Sequence, residues 1–260
     1  MELIDTHAHL TFEPLEADIE AVLERSRKAG VTGWVTVGTD AKQNEKVVRL
    51  IENNIENLYG TVGIHPHYAK DTTDVDIVQL RQLAKHEKIV AIGETGLDFH
   101  YNFSKQQAQE ELFRAELEIA SELDMPVVVH SREAFEETMT ILDEFTGKIK
   151  NIVLHCWGGN SEQTRIAIEK GYYISFTGVI TFKNADQARQ AVQMVPLDRL
   201  MLETDCPYMS PEPVRKQKVN EPALMVHTAR KIAEVKEVDL EDFTGVVKKN
   251  TKIFFGIDFS

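Results

Sequence analysis

Short runs rich in Val, Ile, Leu and Thr alternate along the chain with longer stretches that have one apolar and one polar face. Such alternation is typical of a parallel sheet whose strands are joined by crossover helices. The amphipathic stretches predict helices such as Ala17–Lys28, Lys105–Leu123 and Pro222–Val235. The apolar runs predict eight strands, near Leu3–His7, Trp34–Val37, Tyr59–Ile64, Ile89–Gly93, Val127–His130, Ile152–His155, Tyr173–Phe176 and Leu200–Glu203.

Strand and helix alternate eight times within 260 residues, and this count predicts an α/β fold of the (β/α)8 TIM-barrel type. Neither a repeat nor a linker rich in Gly, Ser or Pro interrupts the series. We therefore expect a single domain over residues 1–260. A doubly wound open sheet is the alternative fold, because it uses the same alternation.

The composition restricts how the chain can meet a charged partner. Lys and Arg total 29 against 42 Asp and Glu, which gives a net charge of −13 and argues against a broad basic surface for nucleic acid. A polyanionic substrate must then be attracted locally. The first residues lack a secretory apolar segment, so we expect a cytoplasmic protein that does not bind a membrane. The two cysteines are too few for a disulfide scaffold and are expected to be reduced.

Side chains that can bind a metal are grouped at the ends of the predicted strands. This C-terminal edge of the strands is the place where barrel enzymes carry their chemistry. The cluster contains six of the nine histidines. Its members are His7 and His9 after the first strand, His65 and His67 after the third, Glu94 and Asp98 after the fourth, His130 after the fifth, His155 after the sixth, and Glu203 and Asp205 after the eighth.

Imidazole and carboxylate ligands together suit zinc, manganese, iron or magnesium. We select six residues as metal ligands: His7, His9, Glu94, His130, His155 and Asp205. One catalytic zinc uses about three protein ligands, so six predict two divalent cations, with Mg, Mn and Zn as candidates. Glu94 lies on a strand midway between the others and is predicted to bridge both cations. The pair would hold a shared hydroxide as nucleophile, and its positive charge would attract a phosphodiester to an otherwise acidic chain.

These residues belong to short sequence motifs that follow one another over almost the whole chain. The motifs are Ile4-Asp5-Thr6-His7-Ala8-His9, Gly63-Ile64-His65-Pro66-His67, Ile92-Gly93-Glu94-Thr95-Gly96-Leu97-Asp98, Val129-His130-Ser131-Arg132, Leu154-His155-Cys156, Leu202-Glu203-Thr204-Asp205-Cys206-Pro207-Tyr208, Asn220-Glu221-Pro222 and Asn250-Thr251. In these motifs the chain resembles the TatD-type metal-dependent deoxyribonucleases of the amidohydrolase superfamily. The resemblance implies a barrel hydrolase of phosphodiesters in DNA. It also implies that His7, His9 and Asp205 hold one metal, His130 and His155 the other, and Glu94 both.

Three further residues are substrate-binding candidates. His65 is expected to contact the substrate phosphate or to protonate the leaving oxygen, with a supporting role for its ring as the alternative. Arg132 is expected to clamp a phosphate, unless it pairs with a neighbouring carboxylate. Arg215 matches the start of a family motif that often reads Arg-Gly-x-x-Asn-Glu-Pro, but here the stretch lacks the glycine and is one residue longer.

The catalytic candidates are Asp205, Glu94 and His65, and Asp205 is expected both to bind metal and to accept the proton of the attacking water. We predict a hydrolase acting on ester bonds of DNA, at single strands or strand ends, with RNA as a further substrate. The alternative is a carboxylic ester or amide hydrolase, such as a D-aminoacyl-tRNA deacylase, because a similar metal centre attacks a carbonyl carbon. A non-catalytic scaffold is a poorer alternative, since all six ligand positions hold competent residues. The sequence leaves metal identity, cleavage polarity and oligomeric state open.

Overall fold

A computed structural model describes residues 2–259, and this range contains eight β-strands. Each strand overlaps one of the predicted apolar runs. The strands are β1 (Leu3–Ala8), β2 (Val31–Val37), β3 (Leu58–Val62), β4 (Ile89–Asp98), β5 (Val127–Arg132), β6 (Ile152–Leu154), β7 (Tyr173–Phe176) and β8 (Leu200–Leu202).

Among the described residues, one α-helix follows each strand, and a ninth helix follows the eighth. The helices are α1 (Ile19–Ala29), α2 (Ala41–Ile51), α3 (Asp74–Leu83), α4 (Gln106–Glu122), α5 (Phe135–Asp143), α6 (Ser161–Glu169), α7 (Asp186–Met194), α8 (Met225–Lys236) and α9 (Leu240–Phe255). The predicted helix at Pro222 starts later than expected, because Pro222–Leu224 form a short 3-10 turn before α8.

The chain folds as two compact units. The central unit comprises Val37–His155 and carries β3 to β6 with α2 to α5. The split unit comprises the residues up to Thr36 together with those from Cys156 onward. Large side chains are fully buried in both, such as Phe113 and Ile92 in the central unit and Trp34 and Phe176 in the split unit. The prediction of one domain over 1–260 stays a prediction.

All eight strands belong to one parallel sheet with the order β1 to β8. Within the split unit the first and last strands of this order are hydrogen-bonded to each other. The Thr6 hydroxyl donates to the Leu202 carbonyl at 2.8 Å, and the Asp205 N–H donates to the His7 carbonyl at 2.9 Å. Sequential parallel order with contact between first and last strands is the (β/α)8 barrel class, which confirms the predicted fold and excludes the doubly wound sheet.

The fourth strand is longer than its apolar run. It continues from Ile89 to Asp98 instead of ending at Gly93, so Glu94 and Asp98 lie within the strand. Parallel pairing with β5 sets Gly96 opposite His130 and Asp98 opposite Arg132. This register brings two segments that carry metal-binding residues side by side.

Among the described residues, no helix combines the length and the apolar character that crossing a membrane requires.

Candidate metal centre

In the central unit, imidazoles from three strand ends surround the carboxylate of Glu94. Glu94 is buried, and its Oε1 lies 2.8 Å from His155 Nε2, 2.9 Å from His130 Nδ1 and 3.4 Å from His65 Nε2. Burial raises the pKa of Glu94, but the facing His155, His65 and His130 outweigh it and hold the pKa well below its usual value. Glu94 is therefore an ionised carboxylate.

His130 lies between two carboxylates. Its Nε2 is 3.2 Å from Asp98 Oδ2, while its Nδ1 is 2.9 Å from Glu94 Oε1 and 3.3 Å from His155 Nε2. Burial lowers the pKa of His130, and the hydrogen bonds to Asp98 and Glu94 outweigh that effect and raise it. A carboxylate that accepts from one ring nitrogen leaves the other nitrogen for a cation, as is common for metal-binding histidines. With Nε2 held by Asp98, Nδ1 is the atom of His130 that would bind a cation in place of its bond to Glu94.

The convergence of ligand atoms around Glu94 fits a divalent cation. Ligand atoms of His65, Glu94 and His130 all lie within 4.8 Å of one another. The Glu94, His130 and His155 atoms are closer still, at 2.8 to 3.3 Å. Imidazole nitrogen and carboxylate oxygen are the donors that zinc and manganese accept. The residues of the central unit therefore fit the metal that the sequence predicts.

His65 differs from His130 in the hydrogen bond that fixes its ring. Its Nδ1 accepts the His67 backbone N–H at 3.2 Å, so the proton of the neutral ring sits on Nε2, which faces Glu94. Burial lowers the pKa of His65 to about 4, and this effect exceeds the opposing attraction of Glu94. A neutral ring with an Nε2 proton is a hydrogen-bond donor. This tautomer favours the predicted phosphate contact over proton donation by an imidazolium.

Asp98 and His67 form part of the centre, although neither was among the six residues selected as metal ligands. Asp98 Oδ2 accepts from His67 Nε2 at 2.9 Å as well as from His130. Burial raises the pKa of Asp98, but its bonds with His130, Tyr101 and His67 outweigh it and leave the pKa below its usual value. The available signal was position, since Asp98 lies four residues beyond Glu94 and so shares its strand face.

Helix α4 supports this cluster from beneath with two buried polar side chains. Glu116 accepts the Ile64 backbone N–H at 2.7 Å and the Thr95 hydroxyl at 2.6 Å. These partners are the chain neighbours of His65 and Glu94. Gln109 accepts the Asp98 backbone N–H at 2.8 Å and donates to the Asp98 carbonyl at 3.0 Å. The helix thus fixes the backbone that carries His65 and Glu94, next to Ile64 and Thr95.

Gly96 allows β4 and β5 to approach closely at His130. Its φ is +131°, and a Cβ at this position would lie 2.0 Å from the His130 carbonyl oxygen. Only glycine combines this conformation with this space. The close approach of β4 and β5 therefore explains why the Gly-Glu-Thr-Gly motif has glycine at position 96.

In the split unit, His7 and His9 face the carboxylate of Asp205. Their Nε2 atoms lie 3.7 Å and 3.2 Å from Asp205 Oδ1, and their rings meet edge to face with centroids 5.0 Å apart. Both histidines are buried. Two imidazoles that converge on one carboxylate are a donor set suited to a divalent cation.

A buried carboxylate joins the two strand ends that carry this second cluster. Asp5 Oδ1 accepts the backbone N–H groups of Thr204 at 2.9 Å and His7 at 3.3 Å, and Oδ2 accepts the Thr204 hydroxyl at 2.5 Å. Burial raises the pKa of Asp5 to about 7, against the opposing effect of these hydrogen bonds. Asp205 itself has a φ of +54°, a left-handed conformation that aspartate tolerates better than most residues.

The motif residues Glu203, Asn220 and Glu221 fix the backbone around Asp205. Glu203 accepts the Cys156 backbone N–H and the Ser175 hydroxyl, both at 2.6 Å. Asn220 donates to the carbonyls of Thr204 at 3.1 Å and Tyr208 at 2.6 Å. Glu221 forms a bidentate ion pair with Arg25 of α1, with the closest approach at 2.7 Å. The Asn-Glu-Pro motif therefore anchors the loop after β8.

The two arginines predicted to bind phosphate lie in different surroundings. The Arg132 guanidinium is 4.7 Å from the centroid of the Tyr101 ring, and within residues 2–259 it pairs with no carboxylate. The alternative of an ion pair is thus not seen. The Arg215 guanidinium packs over the Phe182 ring at 3.9 Å. Phosphate binding by either arginine stays a prediction.

Each unit gathers three of the six predicted ligands. Glu94, His130 and His155 meet in the central unit, and His7, His9 and Asp205 meet in the split unit. The sequence did not place His65 among the ligands, and its Nε2 lies 3.4 Å from Glu94 Oε1, farther than the nitrogens of His155 and His130. The assignment of the six as metal ligands, and of Glu94 as a bridge, stays a prediction.

Comparison with known proteins identifies the relatives of this chain. The chain is 38% identical over 256 residues to the metal-dependent hydrolase YabD of Bacillus subtilis, covering 98% of this chain and 100% of that protein. It is 37% identical over 257 residues to the 3'-5' ssDNA/RNA exonuclease TatD of Musicola paradisiaca, covering 97% of each. The crystal structure of YjjV, a TatD homologue from Escherichia coli, superposes with a TM-score of 0.92 at 30% identity over 98% of both chains.

The family assignment rests on nearly the whole chain. A sequence model of the family described as TatD related DNase matches residues 4–256. The matched range includes every residue of both clusters. With these relatives and with His and Glu groups able to hold metal ions, the chain is a metal-dependent hydrolase and belongs to the TatD related DNase family.

Proposed function

We propose that this hydrolase cleaves phosphodiester bonds of single-stranded DNA and RNA, removing nucleotides from the 3' end of a strand. The observation that carries the proposal is the orientation of His130, held by Asp98 so that Nδ1 meets Glu94 and His155. Relatives that are 37% and 34% identical to this chain are named as 3'-5' ssDNA/RNA exonucleases. Their names support the substrate and the polarity of cleavage.

Two divalent cations are part of the proposal. Glu94, His130 and His155 would hold one, and His7, His9 and Asp205 the other, since each group offers about the three protein ligands that a catalytic cation uses. A bound cation supplies a water of lowered pKa and neutralises charge on the phosphoryl oxygens. Mg, Mn and Zn remain the candidate metals.

The surrounding side chains have roles that follow from their protonation. His65 donates its Nε2 proton as a hydrogen bond to a phosphoryl oxygen, because its low pKa keeps the ring neutral near pH 7. The guanidinium of Arg132, which pairs with no carboxylate among the described residues, contacts a second phosphoryl oxygen. Asp205 accepts the proton of the attacking water, since its carboxylate lies beside His7 and His9.

End-labelled single-stranded DNA tests this function. We expect protein reconstituted with Mg, Mn or Zn to shorten a 5'-labelled strand stepwise, and a chelator to abolish the activity. Asp205→Asn should reduce the rate by at least ~10²-fold, through loss of a ligand and a proton acceptor. Asp124→Asn is the matched control, because Asp124 is exposed and its carboxylate pairs with Lys150.

A carboxylic ester substrate provides the contrary outcome. A carbonyl transition state develops one oxyanion, whereas a phosphoryl transition state spreads charge over several oxygens that Arg132 and His65 can contact. Arg132→Ala should therefore impair DNA cleavage more than hydrolysis of a simple carboxylic ester. Rapid deacylation of an aminoacyl ester by the wild type, with no DNA cleavage under any of the three metals, would replace the nuclease proposal by the deacylase alternative.

A further inference from the structure

Two exposed aromatic rings lie close together in one loop of the central unit. Tyr101 and Phe103 are 47% and 54% exposed, which is unusual for rings of this size. They lie in the segment 99–105 between β4 and α4, hereafter the aromatic loop. Their rings are stacked, with centroids 5.4 Å apart and an interplanar angle of 10°. The loop thus presents two nearly parallel π-surfaces to solvent instead of burying them.

Buried polar groups fix both ends of the aromatic loop. At its start, Asp98 Oδ1 accepts the backbone N–H groups of His100 and Tyr101, each at 3.0 Å. At its end, Ser104 donates to the His67 carbonyl at 2.9 Å, and Gln109 donates to the Ser104 carbonyl at 2.9 Å. The ring pair is therefore held in place before any ligand arrives, which lowers the entropic cost of binding.

The same carboxylate joins this loop to the metal-binding cluster. Asp98 Oδ2 contacts His67 and His130 while Oδ1 holds the loop. The His67 ring also meets Phe103 and Tyr101 edge to face, with centroids 4.8 Å and 5.4 Å apart. The exposed rings are thus continuous with the cluster through direct contacts.

The charge beside the rings suits a phosphodiester chain. The Arg132 guanidinium lies 4.7 Å from the Tyr101 ring centroid. The carboxylate of its sequence neighbour Glu133 is paired with His100, 2.6 Å from Nδ1. Stacked aromatic rings next to an arginine are the combination by which proteins bind single-stranded nucleic acid without reading its sequence.

We propose that Tyr101 and Phe103 form a stacking platform for a nucleobase of the substrate strand, with Arg132 contacting an adjacent phosphate. This inference rests on the proposed nuclease function and adds the feature that the enzyme recognises, namely the π-face of an unpaired base. Every base offers such a face, so the platform tolerates any sequence. A duplex end whose bases remain paired and stacked would bind it poorly.

Fluorescence of a single 2-aminopurine in a nuclease-resistant phosphorothioate strand tests the platform on the metal-loaded protein. Stacking on a ring should quench the fluorophore in the wild type. Replacing both rings, Tyr101→Ala with Phe103→Ala, should remove the quenching and weaken affinity by about 5- to 150-fold, the effect of losing one base–aromatic stack. The pair Tyr101→Phe with Phe103→Tyr keeps both rings and should retain affinity. Val75→Ala, at an exposed apolar side chain on α3, is the control.

An abasic strand separates stacking from a general effect on the fold. The alanine pair and the wild type should bind an abasic strand equally well, because such a strand has no base to stack on the rings. Equal loss of affinity for intact and abasic strands, or unchanged binding and quenching in the alanine pair, would overturn the platform. A wild type that quenches 2-aminopurine but cleaves no phosphodiester would instead overturn the nuclease proposal.

Discussion

The two units each gather three predicted metal ligands, but they position them by different means. In the central unit, Glu116 and Gln109 of helix α4 accept hydrogen bonds from Ile64, Thr95 and Asp98, which are or adjoin cluster residues. In the split unit, the strand ends hold each other, because Asp5 of β1 accepts from Thr204 after β8. One cluster depends on the helix layer, and the other depends on two adjoining strand ends.

The clusters also differ in how their histidines are oriented. Asp98 contacts the rings of His130 and His67 directly, whereas within residues 2–259 the hydrogen bonds to Asp5 come from backbone N–H groups and a hydroxyl. A carboxylate that bonds to a histidine ring nitrogen sets the tautomer of that histidine. A carboxylate that bonds to the backbone beside a histidine sets only the position of the residue. We therefore expect substitutions to change metal affinity more sharply in the central unit.

Removal of the central carboxylate should have the largest effect. If Glu94 serves both cations, as the family resemblance implies, Glu94→Ala should abolish tight binding of both and lower activity by at least ~10⁴-fold, since metal-ion catalysis supplies several kcal/mol. Titration calorimetry with Mn or Zn measures the binding. His130→Ala is the comparison and should weaken mainly one cation. Two tight sites remaining in Glu94→Ala would show that Glu94 is not a bridge.

The buried Glu116 predicts an unusual dependence of stability on pH. Burial raises its pKa from 4.5 to about 8, so between these values the folded state holds a proton that the unfolded state has lost. The stability that protonated Glu116 contributes is fully present below pH 4.5 and is lost as pH rises to about 8. This loss amounts to as much as about 5 kcal/mol.

Glu116→Gln tests this dependence because glutamine keeps the shape and stays neutral. Glutamine can still accept from Ile64 and contact Thr95. We expect the variant to unfold at higher denaturant concentration than the wild type at pH 8.5, and the difference to shrink toward pH 5. Parallel stability curves over this range would mean that Glu116 is ionised in the folded protein.

Asp98→Asn and Asp5→Asn compare the two modes of support directly. Loss of a carboxylate that orients a ligand lowers metal affinity by about 10–100-fold, and Asp98→Asn should fall in this range. Asp5→Asn should change metal affinity less, because an amide can still accept the His7 and Thr204 N–H groups. Metal affinity measured by competition with a chelating dye decides the matter. Equal losses in both variants would refute the distinction between the clusters.

The smallest effect is expected at the two arginines. If Arg132 and Arg215 each contact one phosphate, Arg132→Ala and Arg215→Ala should each lower the salt slope of single-strand binding by about 0.7. Lys150→Ala, at an exposed lysine paired with Asp124, is the control. An unchanged slope for Arg215→Ala would leave Arg215 with only its packing on Phe182.

The sequence by itself determined the fold class and the residue types of both clusters. Strand and helix periodicities are local properties, so eight apolar runs were enough to predict eight strands. The order of the strands distinguished the barrel from the doubly wound sheet only in the structure. The predicted ligands followed from the same logic, because a side chain that ends a parallel strand lies at one known edge of the sheet. The acidic composition argued for local metal-binding groups over a broad basic surface, and this stays a prediction.

Only the tertiary structure decided which side chain each of these residues meets. The role of Asp98 depends on β4 continuing past its apolar run and pairing with β5 in one register. The tautomer of His65 depends on a turn that brings the His67 N–H to Nδ1. Glu116 is 52 positions from its partner Ile64 in the sequence, and the sequence around Glu116 indicates only an ordinary polar position on a helix. Such long-range contacts are set by strand register and helix packing, which no local pattern along the chain encodes.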